Sequence, residues 1–102
     1  MPKLRELAKV LRSKNAGAFV LTFDIMFEDE ATYQRVKRSG VINRELFSRL
    51  YHVPVEQVDY TEFDLAYSLK ASIPRAIPSG DADDTDVYGA QQHAPLMDVE
   101  IP

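Results

Sequence analysis

Apolar and polar positions alternate along this chain with two different periods, and the switches between them divide it into elements. Leu4, Leu7, Ala8 and Leu11 fall at the i, i+3, i+4, i+7 spacing of one helical face, with Lys3, Arg5, Lys9 and Arg12 elsewhere around it. That spacing predicts an amphipathic first helix over residues 3–13, ended by Asn15-Ala-Gly17, because Asn and Gly tolerate the backbone angles that stop helices. Residues 18–27 are almost wholly apolar and rich in aromatic and β-branched side chains, which predicts a central strand buried on both faces. Its alternation sets Phe19, Leu21, Phe23, Ile25 and Phe27 against Ala18, Val20, Thr22, Asp24 and Met26.

Two helices follow. Glu28, Asp29 and Glu30 suit the positive end of a helix that carries Tyr33 and Val36 and stops at Ser39-Gly40. Asn43 is placed to cap another, in which Leu46, Phe47, Leu50 and Tyr51 share one side and His52 closes the basic end. A histidine there more often meets helix carbonyls than a ligand. Alternation resumes over Val58–Leu65 and Tyr67–Ile73, two strands joined at Asp64-Leu-Ala66 by a tight connection or a bulge. Pro74 and Pro78 end the regular structure. This order predicts an α+β sandwich with helices on one face of a mainly antiparallel sheet. Its compact domain spans residues 1–77, and residues 78–102 form an extended tail. Leu96–Ile101 alternates again, so the tail could add an edge strand or act as a partner-binding arm.

Composition narrows the classes. A chain of 102 residues makes one domain, and without the tail about 75 residues remain for the core, few enough that an oligomer or a larger partner would help. There is no cysteine, which excludes disulfides and thiolate metal sites. No apolar run approaches membrane-spanning length and no signal-peptide pattern opens the chain, so the expectation is a cytoplasmic protein with no membrane association. The net charge of -4 argues against a nucleic-acid partner. The charge is also uneven: residues 1–52 hold ten Lys and Arg against six Asp and Glu, and residues 53–102 hold two against ten. Such halves could attract one another or a complementary partner.

Candidate chemistry lies in two places. Asp24 sits mid-strand among apolar neighbours, where a carboxylate costs several kcal/mol unless it is paired or hydrogen-bonded. Either an arginine or backbone amides meet it as a structural partner, or it is a site carboxylate. The tail gathers Asp86, Tyr88, Gln91, Gln92 and His93 between turn-forming residues. His93 could move a proton near neutral pH, Tyr88 offers a hydroxyl, Gln91 and Gln92 offer amides to a carboxylate or carbonyl, and Asp86 could orient the imidazole. A mobile tail would not hold these groups closely enough for catalysis. The cluster therefore completes a pocket under a second subunit, wraps the protein's own sheet, or stays disordered. His52 and His93 are far apart, no phosphate-cradling loop or nucleophile elbow is present, and no metal or cofactor is expected.

Three segments together carry a resemblance: Leu11-Arg-Ser-Lys-Asn-Ala-Gly17, Thr22-Phe-Asp24 and Val87-Tyr-Gly-Ala-Gln-Gln-His-Ala-Pro-Leu96. They resemble an uncharacterised family of small bacterial proteins that accompany AtuA-type proteins of acyclic terpene utilisation. The order of elements is also similar to the ferredoxin-like domain at the C-terminus of AtuA proteins. The resemblance implies a ferredoxin-like fold and a detached small subunit that docks a larger AtuA-like chain. Asn15, Asp24, Tyr88, Gln92 and His93 would complete a shared pocket for hydration or isomerisation of a carboxylic acid or acyl thioester. The alternatives are a self-sufficient homo-oligomeric lyase or isomerase, and a structural or regulatory binding module with no active site.

Overall fold

A computed structural model describes residues 2–16, 19–74 and 94–102 of the chain. Four strands, β1 (Val10–Asn15), β2 (Val20–Met26), β3 (Asp59–Phe63) and β4 (Ser68–Pro74), form one sheet in the order β1-β2-β4-β3. Every neighbouring pair is antiparallel, so β2 and β3 run parallel to each other with β4 between them. Helices α2 (Glu30–Ser39) and α3 (Arg44–Tyr51) make the crossover from β2 to β3, which with β4 gives a split βαβ unit. β1 fills the remaining place beside β2, and the arrangement is consistent with a ferredoxin-like α+β fold.

The helix signals act as their chemistry predicts. Asp29 caps α2 by accepting from the Thr32 N–H at 2.7 Å, and Gly40 ends it in the left-handed conformation at φ 70°. Asn43 caps α3 by accepting from the Leu46 N–H at 2.8 Å, and His52 ends that helix at φ 57°, a conformation costly for a residue with a Cβ.

The helical face of the sheet carries the core. Leu21, Phe23 and Ile25 from β2 and Leu69, Ala71 and Ile73 from β4 are buried with Tyr33, Val36, Leu46 and Phe47 from the helices. Phe23 lies 5.3 Å from the Phe47 ring and 4.8 Å from that of Tyr51, centroid to centroid, both tilted as aromatic quadrupoles prefer. Phe19, expected on this face, is instead exposed beyond the start of β2.

Two expectations are corrected. The first helix stops early: α1 covers only Leu4–Leu7, and Val10–Asn15 is strand β1, paired Leu11 with Ile25 and Arg12 with Asp24. Leu4, Leu7, Ala8 and Leu11 all reach the core, yet β2 offers an unpaired edge whose ladder outweighs the local helical spacing. Asn15-Ala-Gly17 consequently opens the β1–β2 connection, with the Ala16 N–H donating to Val20 O at 3.0 Å. β2 itself is an inner strand buried on both faces over residues 21–25, as expected, with Thr22 and Asp24 buried as Leu21, Phe23 and Ile25 are, while Val20 at its start is exposed. Second, Leu96–Ile101 is no edge strand. Ala94–Met97 forms a helical turn, α4, and a single Lys3–Glu100 bridge follows. Leu96 and Ile101 are fully buried in the core, so this end of the chain packs with Leu4. The tight connection is the form seen between β3 and β4, a 3-10 turn over Asp64–Ala66.

Candidate functional site

Strand alternation delivers the site. With Leu21, Phe23 and Ile25 committed to the core, Val20, Thr22, Asp24 and Met26 must face the other way, where none of the described core residues lies. The register aligns Arg12, Asp24, Lys70 and Thr61 in one row across all four strands. The next row toward one end holds Lys14, Thr22, Ser72 and Asp59, and Thr22 and Ser72 place their hydroxyl oxygens 3.4 Å apart.

Asp24 is the centre of this face. Its side chain is 9% exposed, and each oxygen meets a cation: Oδ2 accepts from Arg12 Nε at 3.2 Å and Oδ1 lies 3.5 Å from Lys70 Nζ. The carboxylate demanded a partner, and an arginine, one of the two alternatives above, supplies it together with a lysine. Arg12 and Lys70 keep about half of their surface in water, so the pairs are fixed at one end and solvated at the other. Around them lies a cavity of about 280 Å³ whose walls include Lys14, Met26, Phe63, Ala66 and Ser68. The Lys70 ammonium stands 5.9 Å from the centroid of the Phe63 ring, within the range of cation–π attraction.

A second polar cluster locks the β3–β4 turn to α2. Buried Tyr33 donates from its hydroxyl to Asp64 Oδ1 at 2.5 Å, and Lys37 Nζ reaches the same oxygen at 3.0 Å. The Tyr33 hydrogen bond, followed by that from Lys37, lowers the Asp64 carboxyl below its ordinary range. Burial, then the Asp64 bond, raises the Tyr33 phenol. None of its residues lines the cavity around Asp24, and its chemistry is that of a clamp.

Of the residues singled out in the sequence, Asp24 is at the centre of the open face. Asn15 is the last residue of β1, and its side chain lies outside the described residues. Asp86, Tyr88, Gln91, Gln92 and His93 also lie outside the described residues. Among the described residues no group of three or more His, Asp or Glu is placed to hold a metal ion, and no helix is long and apolar enough to cross a membrane. Sequence reasoning missed Arg12, Lys14, Lys70 and Phe63. Arg12 falls inside the helix predicted over residues 3–13 and Lys14 just past it, and only the β1 register puts both on the face of Asp24.

The geometry defines an α+β protein with helices on one side of its sheet and a charged, partly apolar face on the other. The chain belongs to the family described as Domain of unknown function (DUF4387), whose pattern matches residues 4–100. No curated protein and no solved structure matches it.

Proposed function

We propose that this chain is a small subunit that docks a larger AtuA-like protein through the open face of its sheet. There it helps form a pocket for acid and base chemistry, hydration or isomerisation, on a carboxylic acid or acyl thioester. The observation that carries the docking is the exposure of Val20 and Phe63 at opposite ends of a sheet face that bears no core residue among the described residues. Apolar side chains flanking a polar centre, on a sheet face that no described helix covers, mark an interaction surface. The AtuA-like identity of the partner comes from the resemblance of the three segments quoted above.

In this reading Asp24 holds the Arg12 and Lys70 side chains over the pocket. His93 and Tyr88 supply proton transfer, and Asn15, Asp86, Gln91 and Gln92 hold the substrate. The test is co-purification of the tagged chain from its native host. A stoichiometric larger chain is the expected result, lost on Phe63→Glu, a change at an exposed position that leaves the core intact. Elution alone, or only with copies of itself, overturns the larger-subunit reading. In that case the homo-oligomeric enzyme or the plain binding module stands in its place.

A further inference from the structure

We propose that the cavity over Asp24 is a binding site for a short-chain organic carboxylate, with Arg12, Lys14 and Lys70 holding the anion and Phe63 and Met26 lining the acyl chain. The inference deepens the reading above by naming the ligand of the shared pocket. It rests on that reading for the role of the bound acid, while binding itself needs only this chain.

Charge is the first argument. Three cations border the cavity and one carboxylate answers them, which leaves an excess of two positive charges on a protein that is acidic as a whole. The second is donor geometry. Arg12 engages Asp24 through Nε, so among the described residues its terminal Nη groups remain for another anion, and a guanidinium offers five donors in all. Among the described residues Lys14 pairs with no carboxylate at all. Asp24 is nine-tenths buried and anchored at both oxygens, so it acts as the fixed strut that orients Arg12 and Lys70. Size and polarity then select the ligand. At about 280 Å³ the space lies just below the usual range for drug-sized ligands, which suits a short-chain acid better than a nucleotide or a whole coenzyme thioester. Inorganic phosphate would leave the Met26, Phe63 and Ala66 wall unused, whereas an alkyl chain covers it.

The experiment is a two-dimensional amide NMR titration of the intact chain, at constant ionic strength, with hexanoate, acetate, hexanamide and inorganic phosphate in separate series. Hexanoate is expected to give saturable shifts at Lys14, Asp24, Phe63 and Lys70. Acetate should bind at least tenfold more weakly, because each buried methylene is worth roughly fourfold. Hexanamide, which lacks the charge, should also bind at least tenfold more weakly. Lys14→Gln should weaken hexanoate about fivefold, the scale of one solvated ion pair, with the rest of the spectrum unchanged. Equal binding of hexanamide, phosphate as tight as hexanoate, or hexanoate shifts that never saturate or fall elsewhere would each overturn the site. Because no partner is in the tube, a failure here is separable from a failure of co-purification.

Discussion

Replacing Asp24 by Asn keeps the shape of the side chain and removes its charge, which isolates what the Arg12–Asp24–Lys70 row contributes to stability. Two charge-assisted contacts are lost, at 3.2 and 3.5 Å, and two like charges are left facing each other across the strand. A hydrogen bond to a charged group contributes about 1.5–3 kcal/mol. Both cations are half in water, which screens the pairs toward the ~1 kcal/mol of surface ion pairs. The expected loss is therefore about 2 kcal/mol. In a domain of this size that lowers Tm by roughly 8–16 °C. The assay is thermal unfolding by circular dichroism of wild type, Asp24→Asn, Arg12→Gln and the double variant. The cycle should return a coupling of about 1 kcal/mol between Arg12 and Asp24, reduced at molar salt where the Debye length falls to about 3 Å. A coupling below about 0.3 kcal/mol, or a loss that is the same at all salt concentrations, would refute an electrostatic role for the row.

Three further outcomes are expected. Gly40→Ala puts a Cβ on a residue at φ 70° and should destabilise by about 1 kcal/mol, while His52→Gly relieves the same conformation at φ 57° and should stabilise by about 0.5 kcal/mol or more; urea midpoints with unchanged m-values check both. Leu96→Ala should cost about 2–5 kcal/mol in urea unfolding if that side chain is core, and a cost near zero would contradict its burial. The pH dependence has two limbs. Asp64 is depressed in the folded state, so its contribution is present above about pH 4 and is lost as pH falls through the folded pKa. The stability difference between wild type and Tyr33→Phe should accordingly shrink from pH 7 to pH 2. Burial raises the phenols of Tyr33, Tyr51 and Tyr60, so their contribution is complete below about pH 10 and is lost as pH climbs beyond it. A spectrophotometric alkaline titration should show their ionisation together with unfolding.

The middle of the fold was legible because there the local and tertiary signals agree. Asp29, Gly40 and Asn43 are caps by their own chemistry, and the alternation in residues 20–27 and 68–73 matches the face that the helices cover. The N-terminal stretch misled because Leu4, Leu7 and Leu11 satisfy a helical spacing while Leu11 and Ser13 also satisfy a strand face. What separates the two is the unpaired edge of β2, and that edge does not exist until the sheet forms. The same misreading hid the site. Asp24 announces its need for a partner, but the helical spacing of the residues around Arg12 puts it on a helix, and Lys70 is one strand residue among several. Phe63 could be recognised as a wall of the site only once its register put it beside Met26 and Ser68 on the open face.

The bridge between the two ends of the domain has a kinetic meaning. The Leu4 N–H donates to Val99 O at 2.7 Å and the Ile101 N–H to Pro2 O at 2.8 Å, so segments separated by almost the whole chain are tied by backbone bonds over Leu96 and Ile101. Closing so long a loop carries an entropy cost that the β1–β2 and β3–β4 hairpins do not incur. Contacts this distant in sequence are expected to form after the hairpins. A contact made late in folding acts on the unfolding rate more than on the folding rate, so a change at Leu96 or Ile101 should show mainly in how long the native state lasts.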